Sequence, residues 1–214
     1  MEPPKDPNSA DFWKSIYDRT DTPPWDRGES APALINLLEG SRHRKELEQA
    51  LALGLPAAVP GCGLGHDLLA LARAGFEPHG FDIVEQAVEG AQAALDKANL
   101  KGAVHLRDIF TMGQEPQERF GLIYEYTCYC AIDPGRRDEY AQTMRRALAP
   151  GGLLVGLFFP YSDDRPEGGP PFAVRSGELE ARFTEGFEWL SFDAPAHSHP
   201  DRVGLERLLV ARRI

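Results

Sequence analysis

The stretch that most constrains this chain is VPGCGLGHD, Val59 to Asp67, in which glycine recurs at 61, 63 and 65. A short apolar run precedes it and an apolar helical pattern, HDLLALARAG, follows. A glycine bend between a strand and a helix lets a ligand approach bare backbone and the unpaired N–H groups of the helix. Units of that kind belong to folds in which strands and helices alternate.

The remainder of the chain repeats the alternation. AAVP, PHGFDI, GAVHLRDI, RFGLIYEYT and GLLVGLFFP are apolar runs of strand length. Between them stand the helical patterns HDLLALARAG, VEQAVEGAQAALDKANL and GRRDEYAQTMRRAL. This predicts an α/β fold with a mostly parallel sheet covered by helices on both faces. FEWLSFDA and GLERLLVARRI bring the sheet to seven strands, and the short link between them reads as an antiparallel pair, so the last strand is expected to run antiparallel. The 214 residues suit one domain. Within it, 1–8 is expected to be a loose Pro-rich tail, 9–54 a helical cap opened by Ser9 or Asp11, and 55–214 the sheet core. The helical stretch from Ala33 to Leu53 is expected to break near EGSR. The segment YSDDRPEGGPPFAV, 161–174, is long and irregular, which suits either a lid or a solvated connection.

Composition removes several classes of function. Lys and Arg total 23 against 33 Asp and Glu, a formal net charge of −10, which argues against a nucleic-acid backbone as partner. No run reaches the roughly 18 apolar residues of a membrane span, and the opening residues lack the apolar centre of a signal peptide. Three cysteines form no disulfide framework. A cytoplasmic protein, monomeric or a small homo-oligomer, with no membrane or nucleic-acid partner, is the expectation.

The glycines also select among ligands. A dinucleotide fingerprint needs a third glycine where His66 stands, so a nicotinamide cofactor fits poorly. A phosphate loop needs Gly-Lys-Ser/Thr, which does not follow. The pattern that remains, Gly-x-Gly-x-Gly, resembles the first motif of class I S-adenosylmethionine-dependent methyltransferases. Asp82 ends the second strand, where a carboxylate accepts hydrogen bonds from two ribose hydroxyls; a nicotinamide enzyme uses the same device. Asp108 in RDIF and the strand start LAPGGLLVGLF extend the resemblance.

The N-terminal stretch FWKSIYDRTDTPPWDRGESAPAL, 12–34, is similar to the thiopurine, thiol and halide methyltransferase family, and VPGCGLGHD, YEYTCYCAIDP and APGGLLVGLFFP continue that similarity along nearly the whole chain. Tyr17 stands where the family has a second Trp, TPPW carries an extra proline, and Glu125 replaces the usual Asp. The resemblance implies a Rossmann-like class I methyltransferase fold and S-adenosylmethionine as cofactor. It further implies Trp13, Tyr17 and Trp25 around the cofactor, Gly61, Gly63 and Gly65 beside its methionine end, Asp82 with Ile83 at the ribose, Asp108 with Ile109 at the adenine, and Tyr126 near the sulfonium. Aromatic faces attract a sulfonium cation; the helical spacing of Trp13 and Tyr17 serves equally to pin the first helix to the core.

The reaction implied is methyl transfer to a small sulfur nucleophile of thiol or thiopurine type. Halide or thiocyanate ions and metalloids such as tellurite are alternative acceptors. A non-catalytic S-adenosylmethionine-binding protein and an NAD-dependent oxidoreductase are more distant readings. In-line transfer to a nucleophile that arrives ionised needs alignment more than proton transfer, so no catalytic residue is named. Tyr129 and Tyr161 are the candidates for the acceptor pocket, with Tyr124 and Phe159 in reserve. Cys128 and Cys130 are expected on one face of a strand as ordinary core residues, and His197 and His199 in solvent, with no metal site.

Overall fold

The computed structural model describes residues 6–20, 22–115 and 117–214. Seven strands form one sheet in the order β3-β2-β1-β4-β5-β7-β6. They are β1 (Ala57–Pro60), β2 (Pro78–Asp82), β3 (Ala103–Leu106), β4 (Phe120–Tyr126), β5 (Leu148–Phe158), β6 (Phe187–Asp193) and β7 (Arg207–Arg213). Pairings β1–β2, β2–β3, β1–β4 and β4–β5 are parallel, whereas β7 runs antiparallel to both β5 and β6. The expected architecture and the antiparallel last strand are both found.

The central strands are apolar on both faces because both are covered. On β5, Leu153, Val155 and Leu157 enter one core, while Leu154 and Phe158 enter the other. The first core receives α2 (Pro32–Glu39), α3 (Arg44–Ala52), α4 (His66–Arg73) and α5 (Glu85–Lys97) through Leu34, Leu47, Leu71 and Leu95. The second receives α6 (Arg137–Ala147) and α7 (Glu178–Phe183) through Met144 and Phe183. Period-two alternation thus sorts neighbouring residues to opposite sides. Truncating a core leucine such as Leu154 to alanine costs about 2–5 kcal/mol.

The chain leaves β1 for β2 and β3 on one side, then returns to β4 on the other. This reversal opens a crevice beyond the carboxyl end of β1, the place where open α/β sheets bind ligands. The glycine bend lies there. Helix α1 (Ala10–Tyr17) closes over it, begun by Ser9, whose hydroxyl accepts the Phe12 N–H at 3.2 Å.

Two local expectations are corrected, and a third segment gains detail. Residues 6–8 are tied down, since the Pro7 carbonyl accepts the Trp13 indole N–H at 2.7 Å; residues 1–5 of the expected tail lie outside the described residues. β5 starts at Leu148, earlier than its apolar run, because APGG already belongs to the strand. The 161–174 segment is pinned at its base, with Tyr161 bridging Val174 and the Arg175 guanidinium donating to the carbonyls of Ser162 at 2.9 Å and Arg165 at 2.7 Å.

Candidate functional site

The ends of β1, β2, β3 and β4 surround a cavity of about 620 Å³ beneath α1. Gly61 and Gly63 line it, with φ of +60° and +52°. A Cβ on Gly61 would meet the Cβ and Sγ of Cys128 at 3.0 Å, so glycine lets the bend and the chain after β4 press together. Gly65 does a different task. It is the residue before α4, with φ +83°, and a Cβ there would lie 2.8 Å from the Cβ of Ala91 on α5. It lines no part of the cavity.

Asp82 closes β2 and faces the cavity. One carboxylate oxygen accepts the Gly63 N–H at 3.1 Å and the other the Val84 N–H at 3.0 Å. Burial pushes its carboxyl up, and the backbone donors pull it back. With the Ile83 N–H, three backbone donors face the carboxylate, which has capacity for more. Ile83 lines the same wall. At the end of β3, Asp108 is exposed and accepts the Phe110 N–H at 3.0 Å, turning the chain so that Ile109, Phe110 and Asp108 all border the cavity. The Arg136 guanidinium lies 3.6 Å from the centre of the Phe110 ring.

The roof is aromatic. Trp13 and Tyr17 each meet Trp25 edge to face, with ring centres 5.4 and 5.7 Å apart. Burial, with Asp82 nearby, raises the Tyr17 hydroxyl well above its usual range, so it stays protonated. The segment after Trp25 is fastened to the start of α4: His66 meets Asp26 at 3.0 Å, the Ser30 hydroxyl donates to the His66 carbonyl at 2.6 Å, and the Ala31 N–H donates to Asp67 at 3.1 Å. The roof and the glycine bend are therefore one assembly.

The opposite end differs in chemistry. Cys128, Cys130, Ile132, Phe159, Pro170 and Pro171 add apolar lining, and three cations, Arg27, Arg136 and Arg202, also border the cavity, of which Arg202 is buried. Arg202 is only 2 % exposed. It donates to the Tyr126 hydroxyl and, at 3.2 Å, to the Trp25 carbonyl; its Nε has no partner. The guanidinium is sandwiched between the Tyr126 and Phe159 rings, 4.9 and 4.5 Å from their centres. No carboxylate forms an ion pair with it among the described residues. Burial pushes the Cys130 thiol up to about 12 and raises that of Cys128, so neither is a thiolate near neutral pH.

Trp13, Tyr17, Trp25, Gly61, Gly63, Asp82, Ile83, Asp108 and Ile109 therefore share one cavity, while Tyr126 lines a small cleft adjoining it. The expected acceptor residues do not join them. Tyr129 is 1 % exposed, with its ring against Tyr140, Phe158 and Phe183 and its hydroxyl donating to Glu178 at 2.7 Å. Tyr161 packs on Phe192, beneath the Arg207 guanidinium, and Tyr124 is fully buried. Phe159 does reach the cavity. The chain turns sharply at Thr127, φ +62°, so Cys128 and Cys130 do not continue the strand. His197 is exposed as expected, but His199 is buried against the Glu29 side. Arg202, Pro170 and Pro171 were missed because they come from segments without periodicity, whose position depends on the tertiary fold.

Comparison with known proteins identifies the family and the fold. The family model for thiopurine S-methyltransferase matches residues 8–203. The chain is 37% identical over 204 residues to "Probable thiol methyltransferase 2" of Arabidopsis thaliana, covering 94% of this chain and 84% of the relative. It is 35% identical over 200 residues to "Thiocyanate methyltransferase 1" of the same plant, covering 92% and 82%. Among solved structures, magnesium protoporphyrin IX methyltransferase from Synechocystis PCC 6803 with bound SAM superposes with a TM-score of 0.67 at 16% identity, covering 100% of both chains. That last likeness is one of fold. No helix among the described residues is long and apolar enough to cross a membrane.

Proposed function

Because the chain belongs to the thiopurine S-methyltransferase family, we propose that it binds S-adenosylmethionine under the aromatic roof and methylates a small sulfur nucleophile at the Arg202 end of the cavity. When bound, S-adenosylmethionine supplies a methyl group on a cationic sulfur that departs as a neutral thioether. In this reading Gly61 and Gly63 expose backbone to its amino-acid end, Asp82 accepts from the ribose hydroxyls, and Asp108 and Ile109 flank the adenine. Trp13, Tyr17 and Trp25 offer ring faces to positive charge and exclude water, and Tyr126 borders the reacting end. The fit rests on the free acceptor capacity of Asp82 and on the glycine backbone that borders the cavity.

The observation that carries the acceptor class is the guanidinium of Arg202, the buried one among the arginines that line the cavity. Neither lining cysteine is ionised near neutral pH, and the lining carboxylates, Asp82 and Asp108, make no ion pair with Arg202. A nucleophile with a free lone pair and negative charge needs no base; it needs desolvation, a cationic partner and alignment. A thiolate, including a thiopurine anion, meets those conditions. So do thiocyanate and the halides, and Arg202 favours this second reading as well.

The test is incubation with labelled S-adenosylmethionine and a panel of thiols, thiopurines, thiocyanate and iodide. Transfer to at least one sulfur nucleophile or soft anion is expected, with at least tenfold loss of kcat/KM in Arg202→Met. Binding of NAD(H) in preference to S-adenosylhomocysteine, or no transfer to any member of the panel, would overturn the reading.

A further inference from the structure

Behind Arg202 stands a buried acid that the reaction above does not use. Glu206, at the foot of β7, is 1 % exposed. One of its oxygens accepts the Tyr126 hydroxyl at 2.8 Å and the other has no partner. The direction of every bond in this chain is fixed by chemistry: a guanidinium only donates and a carboxylate only accepts. Tyr126, kept protonated by burial, therefore gives its one proton to Glu206 and accepts from Arg202. The acid and the guanidinium form no ion pair within 4.0 Å, since the phenol oxygen lies between them. The charge of Arg202 is thus offset from behind without its free N–H groups being occupied.

We propose that Glu206 is a positioning residue that weakens the hold of Arg202 on an anionic methyl acceptor, keeping the bound nucleophile reactive. This rests on the reading that Arg202 faces the acceptor. An anion gripped by an uncompensated, desolvated guanidinium is stabilised in the ground state, and stabilisation lost on the way to the transition state raises the barrier. Sulfur spends its negative charge on forming the new C–S bond. A cation moderated by Glu206 still collects and orients the anion, yet releases that charge more readily.

The experiment is calorimetric titration of thiocyanate and of iodide into the protein–S-adenosylhomocysteine complex, for the unaltered chain, Glu206→Gln and Arg202→Met. Glutamine keeps an oxygen for the Tyr126 hydroxyl and removes only the charge. The expected result is thiocyanate binding about three- to tenfold tighter in Glu206→Gln, from loss of a screened charge near the guanidinium. Affinity for S-adenosylhomocysteine should stay within about twofold, and anion affinity should be lost in Arg202→Met. With thiocyanate as acceptor, KM falls while kcat falls too, a split that mere loosening of the fold does not produce. Glu206→Met makes the same charge change with an apolar side chain and serves if the glutamine variant does not fold. Equal or weaker anion binding in the neutral variants overturns the proposal, as does undiminished anion binding in Arg202→Met. Loss of S-adenosylhomocysteine affinity instead of anion affinity in Arg202→Met also overturns it, by assigning the guanidinium to the cofactor's carboxylate. Tightened anion binding together with no methyl transfer to any acceptor would defeat the function proposed above and the claim that the anion is kept reactive, while sustaining the claim that Glu206 loosens the hold of Arg202 on it.

Discussion

Alanine at Gly65 and alanine at Gly63 should separate the two tasks of the glycine bend. At Gly65 the backbone has φ +83°, and a new methyl would sit 2.8 Å from the Cβ and 3.0 Å from the Cα of Ala91. Neither atom is the end of a flexible side chain, so α4 and α5 must part. The left-handed conformation costs a non-glycine residue about 1–2 kcal/mol, and overpacking adds about 1–3 kcal/mol. The sum, near 3 kcal/mol, corresponds to a melting temperature lower by about 6–12 °C for a chain of this size. At Gly63, φ is +52° but the nearest atom to a new methyl is the Tyr17 hydroxyl oxygen at 3.7 Å, an ordinary contact. Only the conformational cost of about 1–2 kcal/mol remains. Urea unfolding of both variants without ligand, with slopes matching the parent, measures the difference. Titration with S-adenosylhomocysteine should then reverse the order, with Gly63→Ala, which lines the cavity, weakening binding more. Equal destabilisation by the two substitutions, or less than 1 kcal/mol at Gly65, would refute the claim that Gly65 is a packing residue.

Further expectations concern the charged groups. Asp82→Asn should weaken S-adenosylhomocysteine binding by about 1.5–3 kcal/mol through loss of charged hydrogen bonds, measured by calorimetry; an unchanged affinity would remove Asp82 from the site. Glu125 is buried, accepts the Tyr129 N–H at 2.8 Å and the Tyr140 hydroxyl, and burial pushes its carboxyl up to about 7 from 4.5. Between those two pH values the folded chain retains a proton that the unfolded chain has released. Stability contributed by this group therefore falls as pH rises through that window, by about 3 kcal/mol at 1.36 kcal/mol per unit, and is flat above it. Glu125→Gln should remove that contribution in urea titrations at a series of pH values, leaving a comparable slope of the same sign from Asp67, raised by burial to about 6, and from Asp82, also raised. Arg137, 1 % exposed, donates to the carbonyls of Ala173 at 2.8 Å and Phe172 at 3.2 Å and to Glu178 at 2.7 Å. Arg137→Met should cost about 3 kcal/mol, as breaking a buried ion pair does, and should speed proteolysis within 161–174, read by mass spectrometry of the first cuts.

What was legible in the sequence follows from how local each signal is. Strand and helix periods survive in AAVP and HDLLALARAG because each side chain's burial is set by its own element, and the glycines mark a turn that only glycine makes easily. Asp82 and Asp108 are legible as cavity residues because each follows a strand end, and the role of Asp108 comes from the resemblance. The acceptor wall was not legible. Tyr129 was chosen as an aromatic residue just after a strand end, but the left-handed turn at Thr127 sends it into the core among Phe158 and Phe183. Arg202 belongs to a short turn, Pro200–Arg202, between the last two strands. Nothing near it in sequence announces that its guanidinium meets Trp25 and Tyr126, each contributed by a remote part of the chain. Long-range pairing of that kind leaves no periodic trace.

Because β7 lies between β5 and β6, synthesis imposes an order on the sheet. β6 leaves the ribosome earlier than β7 yet has no other neighbour to pair with, and β5 keeps one bare flank for the same interval. At ordinary elongation rates the wait lasts roughly one to three seconds. β6 then exposes both its edges and β5 one, and bare edges invite pairing with other chains. A stall or premature stop between Asp193 and Arg207 would therefore release a chain already rich in structure and open along both strands, the form of this protein most prone to stick to its own copies.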